Sequence, residues 1–300
     1  MVKISVIIPT YNKGGRLALT LKSFCCQTTS IPYEIILVDG GEILDNEVER
    51  FMSQIPLRII RVKNHGRSAT RNAGIWASKG ELLIFCDADL IVEPEYIDAH
   101  WMAHKSKSKT LIHGRKKEIP YVRFFEDPRN PHKGLLKEYK DYTLSNKIMN
   151  FNITEEDISN NMDKIRRLGH AQDRLERTVQ HMFEKGIERY KVPWLAADTA
   201  NMSLMRAFAI EIGLFREDFG LDWAPEDLEF GYRLYKAGGS FEQTCYRTDA
   251  YHLAHARINW KEIAKKGYQL FQKMYPEESL ISEIAEVLVE QKGTIDSLLK

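Results

Sequence analysis

The sequence predicts an α/β fold: a mostly parallel central sheet flanked by helices, with a helical insertion and a helical C-terminal tail. Three observations predict it. Short apolar runs recur through the first third of the chain, separated by stretches with apolar residues at helical spacing, as in strand–helix–strand units. The runs end in Pro, Gly or Asp, as buried strands do. The middle and the end of the chain lose this texture and become charged and helix-periodic.

Residues 4–8 read as the first strand, closed by Pro9, and residues 17–27 as the helix after it. Residues 34–38 form the second run, ended by Gly40 and Gly41, and residues 57–62 the third. Residues 67–78 read as a helix with Gly80 at its C-cap, and residues 81–86 as the next strand, ending at Asp87. From about 116 to 190 the texture changes. The FFEDPRNPHKG segment must be loop. After it Ile158, Met162, Ile165, Leu168, Leu175, Val179 and Met182 fall near one helical face. This predicts a helical insertion packed on the sheet, a lid that grips an acceptor, or both. Strand-and-turn texture returns from 191 to about 251. Beyond Arg257 the chain turns helical again, with Ile263, Tyr268, Leu270, Ile281, Ile284, Val287 and Leu288 as apolar positions. No repeat and no Ser/Gly linker divides the chain. The expected organisation is an α/β half at 1–115, the insertion at 116–190, the second half of the same domain at 191–257 and the tail at 258–300.

Lys and Arg number 43 against 42 Asp and Glu, which argues against the basic footprint of a nucleic-acid binder and against an acidic disordered chain. Cys25, Cys26, Cys86 and Cys245 make neither a disulfide framework nor a CxxC metal site and read as buried free thiols in a reducing compartment. No apolar run approaches the roughly 18 residues that a membrane span needs. The chain opens at once on a strand-like VKISVIIP. The expectation is a soluble, cytoplasmic protein with no transmembrane segment and no nucleic-acid partner.

In parallel α/β sheets, ligands bind at the carboxyl ends of the strands. Thr10, Tyr11, Asn12, Asp39, Asp87 and Asp89 are therefore the first candidates. Asp87 and Asp89, one residue apart after a buried strand, can converge on a divalent cation, or on a cation and a ribose; equally, they can cap a solvated turn. In Trp223-Ala224-Pro225-Glu226-Asp227-Leu228-Glu229, Pro225 suits the first turn of a helix that runs through Phe230 and Leu234 to Gly238. Glu226 and Asp227 are either acids favoured by the helix dipole or a site in which Asp227 is a general base. A helix N-terminus would keep Asp227 ionised, while an apolar neighbour such as Trp223 would push its pKa back up. His252 is a candidate metal ligand, with His255 as competitor, although a lone histidine is more often structural.

Together these residues carry a resemblance. PTYN after the first strand, VDGG after the second, GRSATRN at a helix start, then DAD, NMS, WAPED and His252 occur in an order that resembles the family-2 glycosyltransferases and their GT-A fold relatives. The nearest likeness is to the branch of chondroitin polymerase, polypeptide N-acetylgalactosaminyltransferases and β-1,4-galactosyltransferases. It covers about 1–115 and 192–255 and leaves out the insertion and the tail. The resemblance implies transfer of a sugar from a nucleotide-diphosphate donor, with UDP as the base rate, to an acceptor hydroxyl on a carbohydrate, lipid-linked sugar, peptide or small molecule. By the same resemblance, Pro9, Thr10, Tyr11 and Asp39 would cradle base and ribose, and Arg67 and Arg71 would face the nucleotide or its phosphates. Asp87 would lie near the ribose and donor sugar. Asp89 and His252 would hold Mn2+ or Mg2+. Asn201 and Trp223 would lie on the acceptor side, and Glu226 and Asp227 would be the catalytic pair, with Asp227 the base of an inverting displacement. Two departures stand out: VDGG has Gly40 where many relatives have a second acid, and WAPED lacks the glycines that often precede the acids. The rival readings are a nucleotidyltransferase, for which PTYNKGG is a poor phosphate loop, and a sugar-nucleotide-binding protein without turnover. Tyr121, Phe124, Phe125, Tyr139 and Tyr142 could stack on sugar rings or form the core of the insertion.

Overall fold

The computed structural model describes residues 1–11, 14–41, 46–221, 225–244, 246–256 and 259–299. Trp223 and Cys245 lie outside them, as does Asn12. The described strands are β1 (Ile4–Thr10), β2 (Tyr33–Asp39), β3 (Leu57–Arg61), β4 (Leu82–Cys86), β5 (Leu90–Val92), β6 (Thr110–His113), β7 (Lys116–Ile119), β8 (Asn201–Met205), β9 (Ser240–Gln243) and β10 (Ala250–Leu253).

A seven-stranded sheet runs in the order β3-β2-β1-β4-β8-β6-β9. Its first four strands are parallel, and β8 is antiparallel to both β4 and β6. Ile4, Val6, Ile7 and Ile8 of β1 are fully buried, as are Leu82 to Cys86 of β4. Their unbroken apolar runs suit strands covered on both faces. The helices Gly15–Cys25 and Arg67–Ala77 supply part of that cover. Two local expectations change. Pro9 does not close β1, which continues to Thr10. Beyond Ile7 the strand pairs with β2 alone, so one edge is open and proline is tolerated there. Gly80 is not a left-handed cap; the helix ends at Ala77, with Ser78 extended. A Cβ on Gly80 would lie 2.6 Å from the backbone of Ile4 and Ser5, so close approach explains this glycine. Gly238, by contrast, has φ +81 just beyond the helix Glu226–Lys236, as a C-terminal glycine should.

A second, three-stranded sheet has the order β5-β10-β7. It brings together residues from three distant parts of the chain, and the site depends on it. The segment 116–190 opens on β7 before its helices Glu155–Asn160, Met162–Leu168 and Arg174–Lys185. Its apolar residues do not share one face. Asn161 (φ −144, ψ 50) and the stretch 169–173 interrupt the helix. Ile158 and Ile165 pack with Leu19, Ile91 and Tyr251, whereas Val179 and Met182 join the main core. Phe125 is buried, Tyr139 lines the cavity described below, and Tyr142 is exposed.

The tail is part of the main core rather than an appendage. Tyr268, Phe271, Ile281, Ile284 and Leu288 pack in the cluster that contains Trp194 and Phe230. Burying each such side chain contributes about 1.5–3 kcal/mol. Cys86 is buried, while Cys25 and Cys26 are only partly so. Among the described residues, no helix is long and apolar enough to cross a membrane.

Candidate active site

A cavity of about 980 Å³ opens at the carboxyl ends of β1 and β4. Most of the residues expected to bind or react line it: Pro9, Thr10, Tyr11, Arg67, Arg71, Asp87, Asp89, Glu226, Asp227 and His252. Gly40 lines it as well, while Asp39 lies behind, buried, with Oδ1 accepting from the Gly41 N–H at 2.9 Å. Asn201 does not reach the cavity. It heads β8, where its Oδ1 accepts from the Tyr96 hydroxyl at 2.9 Å and its Nδ2 donates to the Thr248 and Arg115 carbonyls at 2.7 and 3.0 Å. Its side chain clamps the backbone, so it has no hand free for an acceptor.

The two acids of DAD separate by function of place. Asp89, which precedes β5, is 2% exposed and faces the histidines of β10 and the loop after it. Its Oδ2 is 3.6 Å from His252 Nε2 and 3.4 Å from His255 Nε2. Ligand atoms of all three residues lie within 4.8 Å of one another. Both histidines therefore belong to one cluster. Glu118 of β7 stands 3.2 Å from His252 Nδ1, which fixes the ring and turns Nε2 toward Asp89. Burial alone would raise the Glu118 carboxyl, but its bond to His252 holds it below the usual range. One carboxylate and two imidazoles fit a divalent cation, and the nitrogen donors suit Mn2+ better than oxygen-seeking Mg2+.

Asp87 turns the other way, toward Arg71, at 3.7 Å. Arg71 Nη1 also donates to Glu226 Oε1 at 2.8 Å, and both of these side chains are 4% exposed. The pair ties the helix Arg67–Ala77 to the start of the helix Glu226–Lys236. Asp227 follows Glu226 into the cavity wall. Its carboxyl is pushed up to about 8, first by burial and then by the neighbouring carboxylates of Glu226 and Asp198; Arg71 and the Leu228 N–H pull less strongly the other way. From the sequence, the helix N-terminus keeps Asp227 ionised while an apolar neighbour such as Trp223 pushes its pKa back up. In the fold, burial and the neighbouring carboxylates outweigh the pull of Arg71 and the Leu228 N–H, so the Asp227 carboxyl holds a proton more tightly than an ordinary aspartate.

Several residues at this site escaped sequence reasoning. Lys116 Nζ, buried, lies 2.5 Å from Asp198 and 3.0 Å from Asp173. Tyr268 from the tail sits near Asp227, and burial together with that carboxylate raises its hydroxyl. Lys116 and Glu118, spaced by two, share one face of β7, a pattern that becomes readable only once β7 is known to be a strand.

A model of glycosyl transferase family 2 matches residues 5–210. The chain belongs to glycosyl transferase family 2. It is 28% identical over 245 residues to the glycosyltransferase YfnE of Bacillus subtilis, covering 80% of this chain and 62% of that one. It is 27% identical over 247 residues to the chondroitin synthase of Escherichia coli, covering 79% of this chain and 33% of that one. The chain thus spans between a third and about three fifths of the length of these relatives. The mannosyltransferase PcManGT of Pyrobaculum calidifontis, solved in complex with GDP-Man and Mn2+, superposes with a TM-score of 0.58 at 12% identity, over 95% of this chain and 69% of that one. The fold is the GT-A fold expected. The family match ends before Asp227, His252 and His255, so their roles rest on geometry.

Proposed function

We propose that the protein transfers a sugar from a nucleoside-diphosphate sugar, by base rate a UDP-sugar, to an acceptor hydroxyl with inversion at the anomeric carbon. One observation carries this reading: a carboxylate–histidine cluster and the half-buried carboxyl of Asp227 line the same cavity at the carboxyl ends of the strands.

Tyr11, 52% exposed at the rim, offers a ring to the base. The buried Thr10 hydroxyl, which has no partner among the described residues, offers a hydrogen bond to the nucleotide. A divalent cation held by Asp89, His252 and His255 would neutralise the departing diphosphate, worth several kcal/mol. Arg67, also at the rim, adds positive charge. Glu226 is held by Arg71 and leaves the proton transfer to Asp227. The ionised form of Asp227, made more basic by its surroundings, accepts the proton of the acceptor hydroxyl as the new glycosidic bond forms and the bond to the diphosphate breaks. A positioned base of this kind contributes about 10² to 10⁴ in rate.

A thermal-shift panel of UDP, GDP, dTDP and their sugars, with and without Mn2+, tests the reading. Stabilisation by one nucleotide that requires Mn2+ supports it. A melting temperature indifferent to every nucleotide in the presence of Mn2+ contradicts it.

A further inference from the structure

The cavity holds many acids, yet most acids of its inner wall answer to a base. Asp173 and Asp198 face Lys116, Glu226 faces Arg71, and Glu118 faces His252. The arginines on the wall built by residues 116–190 are different. Arg123 lies on the turn Pro120–Phe124, and Arg174 and Arg177 lie one turn apart on the helix Arg174–Lys185. All three line the cavity, and none has a carboxylate partner among the described residues. Each spends one N–H on a backbone carbonyl. Arg123 Nε donates to Pro120 O at 2.9 Å, Arg174 Nε to Val287 O at 2.6 Å and Arg177 Nη1 to Gln172 O at 2.5 Å. These tethers hold the side chains and leave guanidinium N–H groups with no hydrogen-bond partner among the described residues. A guanidinium fork matches a carboxylate or a phosphate with paired, charge-assisted hydrogen bonds. These arginines also stand on elements other than those that carry Pro9, Gly40 and Arg67, at the ends of β1 and β2 and the start of the helix after β3, where the nucleotide is placed above.

We infer that Arg123, Arg174 and Arg177 form an anion-recognising subsite for the acceptor, so that the acceptor carries a carboxylate or phosphate group close to the hydroxyl that is glycosylated. The inference rests on the transfer reading for the word acceptor, but the anion site itself can be measured without turnover. Two sources share the chemistry: a uronate-bearing oligosaccharide and a polyol phosphate oligomer.

The experiment measures binding to the full chain, with and without Mn2+ and UDP. The ligands are a uronate tetrasaccharide, its carboxyl-reduced neutral counterpart and a short polyol phosphate. One of the two anionic ligands is expected to bind at least about tenfold more tightly than the neutral one. The anionic ligand that binds names the source. Its advantage should shrink as salt rises from about 0.05 to about 0.5 M. The advantage should vanish in Arg174→Gln/Arg177→Gln, with UDP affinity retained. Arg177→Gln alone, at an exposed position, provides a variant whose fold is not at risk and should lose part of it. Equal binding of the neutral and anionic ligands, no binding of either anion, or a preference that survives the double substitution overturns the inference. If instead the double variant loses UDP, the arginines serve the donor and the inference also falls. Release of nucleoside diphosphate from donor sugars by the same preparation tests the transfer reading separately: anion binding without release leaves the subsite standing and removes the reading beneath it.

Discussion

Arg71 is the residue on which the arrangement of acids turns. It is buried against Glu226 and lies within reach of Asp87, so its loss strands a buried carboxylate. Arg71→Met is expected to cost about 3–5 kcal/mol of stability, read as a drop in urea midpoint, because removing one partner of a buried pair leaves the other uncompensated. A midpoint unchanged from the wild type would show that the pair is not as buried as the structure has it. Asp227 makes the opposite prediction. Its folded-state pKa of about 8 stands above the ordinary 3.8, so the folded protein holds a proton that the unfolded chain releases. Stability from this group is greatest below the ordinary value and is lost as pH rises toward the folded value. Asp227→Asn should therefore melt higher than the wild type in the absence of ligands. The gap should widen from about pH 4 to about pH 8 and then level off. A gap independent of pH would contradict the raised pKa. At this scale the sequence was partly legible. Asp87, Asp89 and Asp227 stand out because they follow a buried strand or open a helix. Asp198 and Tyr268 beside Asp227, and Lys116 beside Asp198, do not, because chain folding over long separations, not local pattern, brings them there.

Among the elements, the small sheet builds the cation site. β5 follows Asp89, β10 contains His252 and β7 contains Glu118, so three strands hold one cluster in register. Arg16 secures the same region from the helix Gly15–Cys25. Its guanidinium donates to the Leu253 and Ala254 carbonyls beside the histidines and to those of Val122, Phe125 and Glu126. Glu118→Gln should weaken Mn2+ binding about 10- to 100-fold by calorimetry, as the loss of a group that orients a metal-bound imidazole does. Unchanged affinity would place Glu118 outside the site. The helix Glu226–Lys236 is set by a close approach. A Cβ at Gly231 would lie 2.4 Å from Ala197 Cβ and 2.6 Å from the Trp194 carbonyl. Gly231→Ala should cost about 1–3 kcal/mol and lower activity by moving Asp227, and wild-type melting would argue against that fit. β7 was invisible as a strand because KKEI is short and charged; its neighbours, not its composition, make it one. The parallel strands were legible because burial on both faces demands unbroken apolar runs.

At the scale of the whole molecule, the tail and the sheet share one core. The tail helices supply Tyr268 and Leu288 to the cavity wall and Phe271, Ile281 and Ile284 to the packing around Trp194. A chain ending at residue 258 should therefore fail to give a cooperative thermal transition by circular dichroism, instead of leaving an active smaller core. Its melting like the full chain would separate tail from domain. The sequence marked the tail as helical and amphipathic, but nothing in a local pattern says which surface an apolar stripe will cover. The balanced charge was informative only in part: it disfavoured a nucleic-acid partner, and the fold then sorted the charges into pairs around one cavity. That sorting leaves Asp227 as the carboxyl best placed to take a proton from an acceptor. The most direct measurement is the rate of sugar transfer by Asp227→Asn at saturating donor, acceptor and Mn2+, alongside its nucleotide affinity. The account predicts transfer reduced about 10² to 10⁴-fold with nucleotide binding retained. Transfer at close to the wild-type rate would contradict it.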